Sequence, residues 1–128
     1  MTHRVSPAIA VQLHANGYPQ PEPKFGQFWH NYESDTKYEL MTRYSILEEY
    51  GFYCRDNHSG GHNIVWIAKE RFGKDLIYLP TATEIMEVLD IQVVGLYYDG
   101  KKWRLGDPEK EFLYENPADA VAMSWLYR

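Results

Sequence analysis

The dipeptide Asp99-Gly100, between two runs of alternating residues, is the feature that most restricts how this chain can fold. A two-residue type I′ turn needs positive φ at both central positions, and Asp-Gly is one of the pairs that provide it. Such a turn fixes the strand register, so Tyr97 is predicted opposite Lys102 and Leu96 opposite Trp103. The two faces of the hairpin then differ, with Val94, Leu96, Trp103 and Leu105 on one and Tyr97, Lys102 and Arg104 on the other. This alternation is typical of an antiparallel sheet that is covered on one side.

Cap signals predict two of the helices. Ser6 before a proline is a good N-cap and predicts a helix over residues 7–15. Thr81 and Glu84 have the spacing of a capping box, in which each side chain bonds the backbone N–H of the other residue. They predict a second helix over residues 82–89.

Two further stretches are interpreted as helical. Asn116-Pro117 predicts the start of a closing helix, whose spacing would bury Val121 and Trp125. Residues 38–50 carry apolar side chains at helical spacing and are followed by Gly51, so a helix is predicted there as well.

The remaining segments favour short strands separated by turns. Residues 51–61 show no regular pattern and are predicted to be a loop, and Gly73-Lys-Asp75 is predicted to be a hairpin turn. The predicted strands, besides those of the 99–100 hairpin, are residues 25–32, 64–72, 76–79 and 112–114. This order predicts an α+β protein, an antiparallel sheet covered on one face by three or four short helices, as a single globular domain over residues 1–128.

Charge and cysteine content narrow the classes of function. The 128 residues carry a formal net charge of -5, which disfavours nucleic acid as the main partner because phosphate binding depends on clustered Lys and Arg. The single cysteine fits a reducing compartment, so we expect the chain in the cytoplasm. No apolar run approaches the roughly 20 residues of a membrane helix, and no membrane contact is expected.

Three pieces of the chain, taken in order, resemble a group of small proteins carried by tailed bacteriophages and prophages. They are the opening helix leading into the aromatic strand at 25–32, the Pro-Thr helix start within 79–89, and the aromatic hairpin followed by Asn116-Pro-Ala-Asp-Ala-Val-Ala122. The likeness covers residues 7–32 and 76–127, and residues 33–74 have no counterpart. The group has no assigned activity, so the resemblance implies a lineage, a bacterial host cell and a fold, and it brings no site residues.

Cys54, His58 and His62 form the only pattern that suggests a metal site. They are spaced four residues apart, and thiolate and imidazole are ligands that zinc prefers. Three such ligands and a water would suit a small metal-dependent hydrolase. Ser59 and the glycines beside it disfavour a helix that would align these ligands, so a buried or half-buried cysteine next to a polar loop is the preferred interpretation.

The hairpin offers a second candidate surface. Tyr97, Lys102 and Arg104 combine aromatic and basic side chains on one predicted face, which suits a protein partner. The same mixture could stack single-stranded nucleic acid, which remains an alternative function.

The favoured interpretation is a binding or accessory protein of phage or prophage origin, without catalytic activity. Aromatic residues make up 16% of the chain, including 11 Tyr and 4 Trp, and these two types dominate interface hot spots. A protein partner is therefore expected, with self-association as one form of it, and no cofactor is predicted.

Overall fold

A computed structural model describes residues 4–41, 50–56, 63–88, 96–98, 103–105, 113–114 and 116–126. For residues 96–98, 103–105 and 113–114, the structure describes the backbone pairing and not the side chains. The chain divides into two compact units. The central unit is Tyr18–Leu79, and the terminal unit joins Met1–Gly17 to Pro80–Arg128.

The described residues form three α-helices, one short 3-10 helix and eight strands. The helices are α1 (Pro7–Ala15), α2 (Ala82–Val88) and α3 (Pro117–Leu126), and the 3-10 helix is Lys69–Arg71. The strands are β1 (Phe28–Asn31), β2 (Thr36–Leu40), β3 (Gly51–Asp56), β4 (Asn63–Ala68), β5 (Leu76–Tyr78), β6 (Leu96–Tyr98), β7 (Trp103–Leu105) and β8 (Leu113–Tyr114). The predicted α+β class with antiparallel pairing is confirmed.

The central unit is a five-stranded antiparallel sheet in the order β4-β3-β2-β1-β5. The first four strands follow one another as neighbours, and β5 returns to pair with β1, for example Trp29 with Tyr78. The two outer strands of this sheet are therefore β4 and β5.

One face of the five-stranded sheet carries the apolar core of the central unit. Because side chains alternate along each strand, the paired residues Trp29, Tyr38 and Tyr78 lie on the same face. Phe72 packs over this face, with its ring 5.1 Å from that of Trp29 and 5.7 Å from that of Phe52. The buried members of the core are Trp29, Leu40, Phe52, Cys54, Ile67, Leu76 and Tyr78.

Two predictions for the middle of the chain were wrong. The helix predicted over 38–50 is a strand where it is described, because β2 extends to Leu40, and residues 42–49 lie outside the described part. The loop predicted over 51–61 begins as β3, which pairs with both β2 and β4. In β2 and β3, burying every second side chain against the core stabilises strands more than the weak helical spacing of the apolar residues favours a helix.

The prediction of a hairpin at Gly73-Lys-Asp75 was also wrong in its pairing. The turn is present, but β5 pairs with β1 at the far side of the sheet and not with β4. The strand predicted over 64–72 ends at Ala68 and continues as the 3-10 helix.

The predicted helix starts of the terminal unit are confirmed, although the Ser6 side chain makes no capping hydrogen bond to α1. The Thr81 N–H donates to Glu84 Oε1 at 3.0 Å, and the Glu84 N–H donates to Thr81 Oγ1 at 3.2 Å, which is the reciprocal pair of a capping box. Asn116 Oδ1 accepts the Ala118 N–H at 2.9 Å at the start of α3. Trp125 in α3 is buried, as its spacing predicted.

The predicted register of the late hairpin was wrong by two residues. Tyr97 pairs with Arg104 where the sequence analysis predicted Lys102, and Tyr98 pairs with Trp103. Residues 99–102, including the predicted turn, lie outside the described part. β8 adds to β7 as a third strand, and α3 contacts both of them.

Within the described ranges, no helix is long and apolar enough to cross a membrane.

Candidate interaction surface

Cys54 is the only member of the predicted metal site that the structure describes. Its side chain is fully buried in the core of the central unit. The Cys54 thiol donates a hydrogen bond to the Phe52 carbonyl oxygen, with 3.6 Å between Sγ and the oxygen. Burial raises the pKa of the Cys54 thiol to about 12, and the positive charge of Arg71 opposes this only in part. The metal-binding thiolate is therefore disfavoured at neutral pH.

His58 and His62 lie outside the described residues. Among the side chains that are described, no group of three His, Cys, Asp or Glu could hold a metal ion. The metal site over Cys54, His58 and His62 stays a prediction.

The predicted partner surface on the late hairpin also stays a prediction. The structure brings Tyr97 and Arg104 together as a cross-strand pair, while Lys102 lies outside the described part.

A second surface, which the sequence analysis did not identify as functional, lies at the β4 side of the five-stranded sheet. Ile64 and Trp66 point away from the core face, and 45% and 40% of their respective surfaces are exposed. The Trp66 ring packs against the Tyr53 ring of β3 at 5.0 Å between centroids and an angle of 63°. We call Tyr53, Ile64 and Trp66 the aromatic edge.

Gly51 makes room for the Trp66 ring. A Cβ placed on Gly51 would lie 2.7 Å from Trp66 Cζ2, and it would also collide with the Ile67 carbonyl oxygen. The absence of a side chain at Gly51 therefore lets the indole lie over β3 instead of standing away from the sheet.

Next to the aromatic edge, the same face of the sheet carries charges of both signs. Arg55 pairs across the strands with Ile64 on one side and with Glu39 on the other. The Arg55 guanidinium lies 3.9 Å from the Glu39 carboxylate, and both side chains are partly exposed. These two residues also line a shallow cavity of about 230 Å³ together with Gly26, Leu40 and Met41.

His30, on β1, lies on the same face of the sheet as Glu39 and Arg55, but its side chain is buried. Its Nε2 lies 3.0 Å from Asp35 Oδ1, and Asp35 has a left-handed backbone with φ 53°. Its buried Nδ1 has no hydrogen-bond partner among the described residues. The Asn31 side chain accepts the N–H groups of Glu33 and Ser34 in the same turn, so this cluster holds the β1–β2 connection together.

One sequence signal points to the aromatic edge. Residues 63–68 are Asn-Ile-Val-Trp-Ile-Ala, so the strand is apolar on both of its faces. A strand with one buried face normally alternates apolar with polar residues, and an apolar exposed face indicates a contact surface.

Comparison with known proteins identifies no family. No family model, no curated protein and no solved structure matches this chain significantly.

Proposed function

We propose that this chain is a protein-binding module without catalytic activity, and that its partner contacts the aromatic edge. The observation that carries the proposal is the joint exposure of Ile64 and Trp66 on one strand, with Tyr53 packed beside Trp66. Tyr and Trp supply large apolar areas with little loss of conformational entropy, and they are enriched in interface hot spots.

The surroundings of the aromatic edge suit a protein interface. Charged residues of both signs, Glu39 and Arg55, border the apolar side chains on the same face. An apolar centre with a polar rim is the usual arrangement of such interfaces.

Two pairs of titratable groups in the central unit have structural roles, which supports a role without catalysis. Arg71 holds Asp75 through two hydrogen bonds of 2.9 and 2.8 Å, and His30 is paired with Asp35. These pairs join residues four or five positions apart and brace local turns.

The lineage and location in this proposal rest on the resemblance to phage and prophage proteins. Together with the single cysteine and the net charge, they support a proposed location in the cytoplasm of a bacterial host cell, a protein partner, and no role for nucleic acid or a membrane. Tyr97, Lys102 and Arg104 remain a second proposed contact surface.

Site-specific photo-crosslinking tests the proposal. A photoreactive amino acid replaces Ile64 in one variant and Val88, an exposed apolar residue of α2, in the matched control. In cells that naturally produce the chain, irradiation of the position-64 variant should yield one dominant protein adduct that is absent from the position-88 variant. Absence of an adduct at position 64, or equal adducts at both positions, would contradict the proposal.

A further inference from the structure

β4 is an outer strand of the described sheet, and the directions of its backbone N–H and C=O groups follow from its neighbours. The Met41 N–H donates to the Tyr53 carbonyl at 3.0 Å, so the polar backbone groups of Tyr53 point towards β2. In an antiparallel pair the N–H and C=O of one residue point to the same side. Tyr53 and Trp66 therefore form a non-hydrogen-bonded pair, and the N–H and C=O of Trp66 point away from the sheet.

The same alternation extends along the strand. The Lys69 N–H donates to the Tyr50 carbonyl at 2.9 Å, so every second residue back from Lys69 also points inward. Ile64, Trp66 and Ala68 are left with outward N–H and C=O groups, and no described residue provides these groups with a hydrogen bond. The residues with free backbone groups are thus the ones whose side chains lie on the face of the aromatic edge.

The six residues of β4 lack the sequence features that usually prevent an edge strand from pairing with another strand. Natural edge strands are commonly protected by charged side chains, proline or a bulge. β4 has six consecutive residues, none charged and none proline, and all six pair with β3 without interruption. An edge of this kind is suited to accept a further strand.

We propose that the partner of the aromatic edge is a second copy of this chain, whose β4 pairs antiparallel with the first around a two-fold axis at Trp66. This inference rests on the proposed function and names its partner. In this register Trp66 lies opposite Trp66 of the second copy, and Ile64 lies opposite Ala68. Each copy contributes the three outward residues of β4, so the pairing forms up to six hydrogen bonds.

Two properties of β4 favour a second copy over an unrelated strand. A two-fold interface places the same surface on both sides, so it must be complementary to itself. An uncharged strand meets this condition, because no like charges are brought together. The antiparallel register also brings no like charges together at its ends, because Lys69, which follows β4, would lie opposite the uncharged Asn63 of the other copy.

Disulfide trapping in the full-length chain tests the register. Cα atoms joined by a disulfide usually lie 4.4–6.8 Å apart, and residues directly opposite each other in a hydrogen-bonded antiparallel pair lie about 5.5 Å apart. Trp66→Cys should therefore form a covalent dimer on mild oxidation. Ile64→Cys alone should not, because its two copies are offset by four residues, or roughly 13 Å. Mixing Ile64→Cys with Ala68→Cys should restore the cross-link, because these two positions lie opposite each other. The buried Cys54 is present in all variants, so it does not account for differences between them.

Sedimentation of the unmodified chain tests the assembly itself. We expect a mass of twice 15.1 kDa at high concentration, and we expect Trp66→Lys to weaken association about tenfold or more, because two lysines would then meet on the axis. A retained melting temperature shows that the variant folds, and Val88→Lys is the control for an added surface charge.

Three results would overturn the inference. They are a monomer at every concentration, a cross-link as efficient at Ile64→Cys as at Trp66→Cys, and association unchanged by Trp66→Lys. A monomeric chain with a different protein adduct at position 64 would overturn self-pairing alone. A monomeric chain without any adduct would overturn the proposed function as well.

Discussion

The backbone N–H of Ser6 donates a 2.7 Å hydrogen bond to Asp119 Oδ1, which joins two residues 113 positions apart. Nearby, the Asn116 side-chain amide donates to the Arg4 carbonyl oxygen at 2.6 Å. The Val5 N–H donates to the Pro80 carbonyl at 3.0 Å, so the segment before α1 is bound to the starts of both α3 and α2. The terminal unit is therefore closed by polar contacts between residues that are remote in sequence.

Asp119 makes the stability of the terminal unit depend on pH. Burial raises the pKa of the Asp119 carboxyl above its ordinary value of 3.8, and the hydrogen bonds from Ser6 only partly oppose this. An acid whose pKa is higher in the folded state favours folding when protonated, so its contribution is present below pH 3.8 and is lost as the pH rises through the folded-state value. We expect the free energy of unfolding of the wild type, relative to Asp119→Asn, to fall over this window.

Denaturant unfolding at a series of pH values measures this difference. Glu87→Gln, at an exposed position of α2, controls for the loss of one negative charge. A difference between wild type and Asp119→Asn that stays constant, or rises with pH, is incompatible with this role of burial.

The capping box of α2 should have a measurable effect on stability. Thr81→Ala removes the hydroxyl that accepts the Glu84 N–H, and we expect a loss of about 0.5–2 kcal/mol in the free energy of unfolding. Thr83→Ala, at an exposed position inside the same helix, is the matched control and should change stability much less. Equal effects of the two substitutions would show that the cap contributes little.

The sequence predicted the three helices of the terminal unit well because their signals are local. Thr81 with Glu84, and Asn116 with the N–H two residues later, act within one turn and depend on no distant partner. The contact between Ser6 and Asp119 carries no such signal, because neither residue type specifies a partner 113 positions away.

Gly51 should be intolerant of a side chain. We expect Gly51→Ala to lower the free energy of unfolding by about 1–3 kcal/mol, because its Cβ would collide with the Trp66 ring and the Ile67 carbonyl. In a Trp66→Ala background the same substitution should cost less, since only the backbone collision remains. Chemical denaturation of the four variants measures this coupling, and simple additivity would mean that the indole does not lie over Gly51.

The middle of the chain was predicted poorly because its strands are specified by tertiary contacts. Tyr38 begins a run of apolar residues at helical spacing, but Tyr38 and Leu40 lie on the core face of β2, where they pair with Asp56 and Cys54. The aromatic edge could be predicted only in part from the sequence, since a strand with two apolar faces could also be buried on both sides. Which face is exposed follows from the order of the strands, which short-range patterns do not encode.

The predicted metal site can be tested without disturbing the core. We expect the purified chain to contain no stoichiometric zinc, and we expect His58→Ala with His62→Ala to leave the melting temperature nearly unchanged. Cys54 is left in place, because removing its buried side chain would itself lower stability. One equivalent of zinc by elemental analysis, lost together with stability in the double variant, would establish the metal site.

Amide hydrogen exchange along β4 tests the role of this edge most directly. The Val65 and Ile67 amides point towards β3 and should exchange slowly under all conditions, whereas the Ile64 and Trp66 amides point outward and should exchange fast in dilute protein. On raising the protein concentration, we expect the outward amides of β4, those of Ile64, Trp66 and Ala68, to become protected. Ile64 and Trp66 amides that are already protected in the dilute monomer, or that never become protected, would contradict the account.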